Sequence, residues 1–273
     1  MKFIFYVLFF QTLIQFSYGQ NSVNSQNKEV VMGLEKQFFS GTKLDKDFKF
    51  NFPGDFEELN IKTEDGFHLN GILFKAKEVS KGVIFYLHGT NNSLNIWGKI
   101  APIYTNLNYD ILILDYRGYG KSGSEVNSEN QLNSDLQKVY NQLKLLYKES
   151  NIIIIGQSIG TGPAAKLASI NNPKELILQA PYYSLSDWIF NLAPEVDTKE
   201  MKFQYKTYEL FHRIKAPVII FHGDADEGIY TGSSQKLNAL FKKGDRLFIL
   251  HGEGHNDFTH NDEYLKELRT LLK

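Results

Sequence analysis

At positions 152–160 the chain reads Ile152-Ile153-Ile154-Ile155-Gly156-Gln157-Ser158-Ile159-Gly160. Four consecutive β-branched residues are typical of a strand that is buried on both faces of a parallel sheet. The pattern Gly-x-Ser-x-Gly follows at once, and its two glycines remove side chains where a strand must turn sharply into a helix. The small residues at 161–168 are compatible with that helix. This stretch therefore predicts a strand, a tight turn and a helix, with Ser158 at the turn.

Ser158 is a candidate nucleophile, because such a turn holds the serine hydroxyl clear of the backbone at the end of the sheet. The helix behind it is expected to point its free N–H groups at negative charge that develops there. Gly-x-Ser-x-Gly alone is a weak signal, since short patterns arise by accident. The buried-type strand before it and the helix after it are the context that makes the signal specific.

The rest of the chain alternates apolar strands with helical stretches. Strands are predicted at residues 83–87, 111–114, 152–155, 175–179, 217–221 and 246–250, after a hairpin at 59–74. Helices are predicted at residues 94–107, 132–147, 161–168 and 233–241 and at the C-terminus. This alternation predicts a mostly parallel sheet with helices on both faces.

Polar, glycine-rich clusters follow several of these strands directly. They are His88-Gly89, residues 115–122, Ser158, Asp226 and His255. The ligand sites of parallel sheets lie at the carboxyl ends of the strands, which is where all five clusters fall. No local pattern requires that coincidence, so it predicts a functional site at this edge of the sheet.

A catalytic triad is the arrangement that these residue types allow. A serine hydroxyl is a poor nucleophile unless a base takes its proton and a third group orients that base. The chain supplies Ser158, then Asp226, then His255. This order of serine, acid and histidine differs from the orders of chymotrypsin-type and subtilisin-type proteases.

Over residues 56–273 the chain resembles the α/β-hydrolase superfamily, close to the short-lid, serine aminopeptidase-like hydrolases. The matching pieces are His88-Gly89, Asp115-Tyr116-Arg117-Gly118-Tyr119-Gly120-Lys121-Ser122, Gly156-Gln157-Ser158-Ile159-Gly160, His222-Gly223-x-x-Asp226 and Gly254-His255-Asn256-Asp257. The resemblance implies an α/β-hydrolase fold, with a mostly parallel central sheet and a short lid insertion at about 181–214. It is specific to the superfamily and much less specific to a substrate.

His255 is the expected base, because it alone has the Gly-His-Asn-Asp context. In the resembled family, histidines in strand-end His-Gly pairs such as His88 and His222 are structural. His251 and His255 are four residues apart in a glycine-rich loop that lacks the His-Glu-x-x-His helix, so we do not expect a zinc site.

Asp226 is the expected acid of the triad, since the family pattern His-Gly-x-x-Asp selects it. Asp224 and Glu227 lie close by and are expected to cap the next helix or face solvent. Asp257 is a weaker candidate, because it is too near His255 in sequence to reach its ring easily.

The oxyanion hole is expected to use two backbone N–H groups. One belongs to Ile159, the residue after the nucleophile, and the other comes from the loop after the first buried strand, which suggests Thr90.

Composition limits the remaining classes of function. The 273 residues have 42% hydrophobic and 22% charged side chains, which suits one large α/β domain. The formal charge of -1 gives no reason to expect a nucleic-acid partner. The chain has no cysteine, which excludes disulfides, thiol nucleophiles and zinc-thiolate sites. We expect no metal and no other cofactor.

Residues 1–19 have the pattern of a secretory signal peptide. Lys2 precedes a short apolar core that ends near Ile14, and Ser17-Tyr18-Gly19 offers small residues for cleavage before Gln20. An uncleaved anchor is the alternative, but the core falls short of the roughly 20 residues that span a bilayer. We therefore expect an exported protein, periplasmic or secreted, with no stable membrane span.

Residues 20–55 are expected to form an N-terminal extension, a flexible leader followed by a segment that packs loosely on the hydrolase domain at 56–273. The lid at about 181–214 is expected to border an open cleft above the serine with aromatic side chains such as Tyr182, Tyr183 and Trp188.

The expected function is that of an exported serine hydrolase that cleaves an ester or a related acyl bond through an acyl-enzyme. The partner is then a small-molecule acyl ester or a peptide. A serine aminopeptidase-like peptidase is the alternative, with Glu195, Glu200 or Glu209 in the lid as groups that bind the substrate amine. A non-catalytic ligand-binding protein on the same fold is a further alternative.

Overall fold

The computed structural model describes residues 23–256 and 258–273. The strands are β1 (Phe56–Lys62), β2 (His68–Phe74), β3 (Val83–Leu87), β4 (Asp110–Leu114), β5 (Ile152–Gln157), β6 (Glu175–Gln179), β7 (Val218–Gly223) and β8 (Arg246–Leu250). The α-helices are α1 (Val23–Phe38), α2 (Leu94–Trp97), α3 (Ala101–Thr105), α4 (Glu129–Leu146), α5 (Thr161–Ile170), α6 (Leu185–Leu192), α7 (Thr207–Leu210), α8 (Gly232–Asn238) and α9 (Asp262–Leu271).

The eight strands form one sheet in the order β1-β2-β4-β3-β5-β6-β7-β8. The hairpin β1–β2 is antiparallel and pairs antiparallel with β4, while every pair from β4 through β8 is parallel. The predicted mostly parallel sheet with helices on both faces is confirmed. All strands from β3 to β8 therefore present their carboxyl ends along one edge, which is the edge that carries the candidate site.

Strand β5 shows why the isoleucine run forms the centre of the sheet. Successive side chains of a strand point to opposite faces. Ile152 and Ile154 contribute to the apolar core on one face, and Ile153 and Ile155 contribute to the core on the other. All four are fully buried, and burial of each contributes about 1.5–3 kcal/mol relative to an exposed side chain. Only a strand covered on both faces can bury four consecutive apolar residues in this way.

The helix predicted at 94–107 is interrupted in the structure. Helix α2 ends at Trp97, a turn of 3₁₀ helix spans Gly98–Ile100, and α3 begins at Ala101. Pro102 lies at the start of α3 and has no N–H with which to continue a helix from the preceding turn. Gly98 packs against the ring of Phe52, where a Cβ atom would lie 2.5 Å from the ring. The predicted helical stretch is therefore present but divided before Pro102, and Gly98 allows its close contact with Phe52.

Part of the N-terminal extension packs more closely than predicted. Residues Val23–Phe38 form helix α1, and Val31, Leu34 and Phe38 are buried in the same apolar core as β5. Their spacing of three and four residues places them on one face of the helix. The predicted signal peptide at 1–19 lies outside the described residues.

The segment at 181–214 is tied to the rest of the protein by two carboxylates. Glu35 of α1 accepts a hydrogen bond from the backbone N–H of Phe203 at 2.9 Å. Glu129 of α4 accepts one from the backbone N–H of Tyr205 at 2.6 Å. Carboxylates that accept backbone N–H groups make stronger hydrogen bonds than neutral acceptors do. The predicted lid is thus held near residues 203–205 by α1 and α4.

The aromatic side chains of this segment differ in exposure. Tyr182 is fully buried, and its hydroxyl donates to the carbonyl oxygen of Ile159 at 3.2 Å. The prediction that Tyr182 borders an open cleft is therefore wrong. Tyr183 and Trp188 are half-buried. The indole N–H of Trp188 donates to the carbonyl oxygen of Gly228 at 2.7 Å. Tyr182 therefore supports the serine turn from inside the core.

In the part of the chain that the structure describes, every helix is too short or too polar to cross a lipid bilayer.

Candidate active site

The turn at Ser158 has the strained geometry that its sequence predicts. Ser158 has a φ of 52°, in the left-handed region, which costs about 1–2 kcal/mol for a residue that has a Cβ atom. A Cβ atom on Gly160 would lie 2.3 Å from the carbonyl oxygen of Leu87, and one on Gly156 would lie 2.6 Å from the Cβ of Ala164. Only glycine fits at either position. The two glycines let β3 and α5 approach closely enough to hold the serine in this conformation.

The structure brings together the three residues predicted as a triad. Nε2 of His255 lies 2.8 Å from Oγ of Ser158, and Nδ1 of His255 lies 2.8 Å from Oδ2 of Asp226. Each residue is less than 10% exposed. An ionised carboxylate only accepts hydrogen bonds, so Nδ1 carries the proton and Nε2 is left to accept from the serine hydroxyl. This is the tautomer that a general base needs.

Asp226 is held in its ionised form by its neighbours. Its Oδ1 atom accepts hydrogen bonds from the backbone N–H groups of Gly228 at 2.8 Å and Ile229 at 2.9 Å. Burial by itself raises the pKa of Asp226, but hydrogen bonds from His222 and His255 outweigh burial and keep that pKa well below its ordinary value. The carboxylate is therefore charged at any pH at which His255 acts as a base.

His222 is a neighbour of the triad for which the family resemblance implied only a structural role. Its Nε2 lies 2.8 Å from the carbonyl oxygen of Ile229 and 3.2 Å from Oδ2 of Asp226. A carbonyl oxygen only accepts, so Nε2 carries the proton and faces both oxygens. Nδ1 then accepts from the hydroxyl of Ser234 at 2.6 Å. The pattern His-Gly-x-x-Asp was the available signal, since it places this histidine four residues before the acid.

The loop after β3 lies directly against the nucleophile. A Cβ atom on Gly89 would be 3.4 Å from Cβ of Ser158, so the backbone at Thr90 is close to the serine. Among the residues that the structure describes, the backbone N–H groups of Thr90 and Ile159 donate none of the hydrogen bonds found. Both are therefore available to an oxygen bound at Ser158.

Sequence comparisons agree with this geometry. A model of the family described as "Serine aminopeptidase, S33" matches residues 78–202. The chain is 28% identical over 222 residues to alpha/beta hydrolase domain-containing protein 17C of Xenopus laevis, covering 79% of this chain and 69% of that protein. It is 27% identical over 217 residues to alpha/beta hydrolase domain-containing protein 17B of Homo sapiens, covering 77% of this chain and 73% of that protein. The chain is similar to α/β-hydrolases.

Solved structures share the fold of this protein, which is the α/β-hydrolase fold. An esterase of Pyrococcus furiosus superposes with a TM-score of 0.67 at 18% identity, covering 86% of this chain and 97% of that one. The protein Est1E of Butyrivibrio proteoclasticus, in a structure with ferulic acid bound, superposes with a TM-score of 0.62 at 19% identity, covering 79% and 96%. At these identities the likeness concerns the fold.

The other acids near Asp226 have different surroundings. Asp224 lies 2.8 Å from Nδ1 of His251 and accepts the backbone N–H of Gly252 at 2.7 Å. It does not cap the next helix but faces solvent, which was the other predicted outcome. The carboxylate of Asp224 raises the pKa of His251 above its ordinary value. Glu227 is exposed, as predicted. Asp257, the weaker candidate, lies outside the described residues.

His88 supports the loop that carries Thr90. Its Nδ1 lies 2.7 Å from the carbonyl oxygen of Gly89, its ring stacks on Trp97 at 5.4 Å, and its own carbonyl oxygen accepts from the hydroxyl of Tyr116 at 2.9 Å. Burial lowers the pKa of His88 to about 4. The ring is therefore neutral near pH 7, in agreement with the structural role that the family resemblance implies.

The candidate amine-binding residues Glu195, Glu200 and Glu209 are all exposed. Glu209 forms a surface ion pair with Lys206 at 3.4 Å. Within residues 23–256 and 258–273 there is no group of three or more histidine and acidic side chains that could hold a metal ion.

Proposed function

We propose that the protein is an exported serine hydrolase that cleaves a small-molecule ester through Ser158, His255 and Asp226. The observation that carries this proposal is the position of His255, whose two ring nitrogens each lie 2.8 Å from their partner, the serine hydroxyl on one side and the aspartate on the other. A histidine in this position can take a proton from the serine and be stabilised as a cation by the carboxylate.

In the first half of the reaction, Oγ of Ser158 attacks the ester carbonyl carbon while Nε2 of His255 takes the hydroxyl proton. The carbonyl oxygen becomes an oxyanion, which the N–H groups of Thr90 and Ile159 stabilise. The bond to the leaving alkoxide then breaks, and the alkoxide takes the proton from Nε2. An alcohol departs and an acyl-serine remains.

In the second half, water attacks the acyl carbon and gives its proton to Nε2 of His255. The same two N–H groups stabilise the second oxyanion. Collapse breaks the bond to Oγ, which takes the proton back from Nε2 and restores the serine. A carboxylic acid is released, and atoms and charges balance over the cycle.

A peptidase is the second candidate, and it is favoured by the name of the matching family, serine aminopeptidase. An aminopeptidase needs an acidic group that binds the substrate amine. The three lid glutamates suggested for that purpose are exposed, and Glu209 is already paired with a lysine. For this reason we place the esterase first.

The remaining alternative, a ligand-binding protein without activity, is opposed by the short contacts of His255 with both of its partners. Export is proposed from the signal-like sequence at 1–19 alone. N-terminal sequencing of the exported protein tests it, and we expect a first residue at Gln20.

The proposed function is tested by labelling with a fluorophosphonate, which reacts covalently with an activated serine. We expect wild-type protein to be labelled at Ser158, and Ser158→Ala to be unlabelled with little change in Tm, because the substitution removes only one hydroxyl and its contact with His255. A panel of p-nitrophenyl esters beside aminoacyl amides then separates esterase from peptidase. Absence of labelling and of turnover in wild-type protein would support the ligand-binding alternative.

A further inference from the structure

The backbone segment at residues 37–44, which we call the clamp segment, lies outside the residues 78–202 matched by the family model. It is nevertheless bonded to the loop that carries a proposed oxyanion donor. Oγ1 of Thr90 donates a hydrogen bond to the carbonyl oxygen of Gln37 at 2.8 Å. The side chain of Thr90 is thus held by the end of α1, and Thr90 directly follows Gly89, which lies against Ser158.

Two backbone hydrogen bonds extend this contact past Thr90. The N–H of Asn91 donates to the carbonyl oxygen of Ser40 at 2.9 Å, and the N–H of Thr42 donates to the carbonyl oxygen of Asn92 at 2.9 Å. Asn91 and Asn92 have φ values of 62° and 56°, in the left-handed region. Two successive residues in that region are unfavourable, so the loop needs external contacts to keep its conformation.

The clamp segment is itself fixed on its other side. The N–H of Gly120 donates to the carbonyl oxygen of Thr42 at 2.8 Å, and the N–H of Leu44 donates to that of Gly120 at 3.0 Å. Gly41 lies against the ring of Tyr119, where a Cβ atom would be 1.9 Å from a ring carbon. The clamp segment therefore connects the loop after β4 with the loop after β3.

We propose that the clamp segment fixes the oxyanion donor, and that the hydroxyl of Thr90 is the positioning group through its bond to Gln37. This inference rests on the proposed serine hydrolase activity. An oxyanion donor acts only when its N–H lies about 2.7–3.1 Å from the place that the oxyanion takes. A loop in a strained conformation meets that demand only while the contacts that hold it are intact.

Two substitutions at one position test the proposal. Thr90→Val keeps the shape of the side chain and removes the hydroxyl, whereas Thr90→Ser keeps the hydroxyl. Loss of an oxyanion donor costs about 10²–10³ in kcat, so a displaced donor in Thr90→Val is expected to lower kcat on the order of tenfold. KM for a short p-nitrophenyl ester stays near the wild-type value, and Thr90→Ser restores most of kcat.

Thr270→Val is the matched control, because it also removes a threonine hydroxyl that donates to a backbone carbonyl oxygen, that of Lys266 at 3.2 Å. It lies on the surface of α9, and we expect unchanged kcat. Wild-type kcat in Thr90→Val would overturn the proposal. So would a loss that serine does not restore, or an equal loss in Thr270→Val.

Hydrogen–deuterium exchange separates this inference from the proposed function. Amides at residues 89–92 are expected to exchange faster in Thr90→Val than in wild-type protein or Thr90→Ser. Unchanged exchange overturns the clamp whatever the activity. If wild-type protein neither reacts with fluorophosphonate nor turns over esters, the proposed function fails, and the exchange comparison still decides whether Thr90 holds the loop.

Discussion

Nε2 of His222 lies 3.2 Å from Oδ2 of Asp226, the same carboxylate oxygen that contacts His255. The oxygen therefore has two imidazole neighbours. His255 also contacts the nucleophile Ser158, whereas His222 is bonded to the buried Ser234. Because Nε2 of His222 also faces the carbonyl oxygen of Ile229, its proton is directed at the carboxylate from a fixed position. Asp226 is thus oriented from behind by a residue that does not touch the serine.

His222→Phe is expected to lower kcat by about tenfold or more, since a hydrogen bond to a charged group contributes roughly 1.5–3 kcal/mol. His222→Gln is expected to retain most activity, because its amide can donate to the same carboxylate. Ser234→Ala removes only the partner of Nδ1 and is the control. Equal losses in all three variants, measured as kcat with the Tm checked, would indicate a packing role instead.

The pKa of Asp226 predicts how stability depends on pH. Its folded pKa lies below the ordinary value of 3.8, so the unfolded chain binds its proton first as the pH falls. The stabilisation is present above about pH 4 and is lost as the pH falls through the folded pKa. When the pH is lowered from 7 to 3.5, the free energy of unfolding of Asp226→Asn should therefore fall less than that of wild-type protein. Urea denaturation at pH 7 and pH 3.5 measures the difference, and parallel losses would contradict the shifted pKa.

Much of the fold and of the site was predictable because the signals are local. The isoleucines at 152–155 mark the central strand, and the small residues behind Ser158 mark its helix. Ser158 and His255 are 97 residues apart, yet their meeting was predictable because β5 and β8 end at the same edge of the sheet. Their roles in catalysis stay predictions.

What the sequence did not reveal depends on tertiary contacts. The apolar residues Val31, Leu34 and Phe38 have a helical spacing, but the polar residues among them concealed the helix. The contact of Thr90 with Gln37 joins a side chain to a backbone carbonyl, which leaves no residue pattern to find. The bond of His222 to Ser234 depends on how α8 is placed against β7.

Arg117 illustrates a cluster at the site edge that is structural. Its guanidinium makes two hydrogen bonds to Asp135, at 2.6 and 2.8 Å, and two to Asp65, both at 2.8 Å. The side chains of Arg117 and Asp135 are about 95% buried. Arg117→Met leaves a buried carboxylate unpaired and is expected to lower the free energy of unfolding by about 3–5 kcal/mol.

Replacing both members of the Arg117 pair, with Arg117→Met and Asp135→Leu together, is expected to recover most of that loss, since no unpaired charge is then buried. Lys199→Met is the control, because it breaks the solvent-exposed pair with Asp197, for which we expect about 0–1 kcal/mol. Urea denaturation measures all three variants. A double variant no more stable than Arg117→Met would show that the ion pair is not the cause.

The acyl preference of the enzyme is expected to depend on Trp188. Its half-buried ring stacks on Tyr182, with the ring centroids 6.3 Å apart, and contacts Phe38 at a centroid distance of 5.6 Å. Its N–H donates to the carbonyl oxygen of Gly228, two residues after Asp226. We predict that Trp188 borders the acyl site, where an aromatic ring suits short to medium acyl groups. Each buried methylene adds about 0.8 kcal/mol, so kcat/KM should rise roughly fourfold per carbon over the first few carbons and then fall.

Trp188→Ala is expected to reduce that slope, because the surface that covers the acyl chain is lost, while acetyl ester turnover changes less. Phe190→Ala on the same helix is the matched control, since Phe190 is 63% exposed and has little buried surface to lose. The readout is the slope of log kcat/KM against acyl length, which a general loss of stability does not alter. A slope that is flat in wild-type protein, together with faster cleavage of aminoacyl amides, would make the esterase assignment wrong and the peptidase the better one.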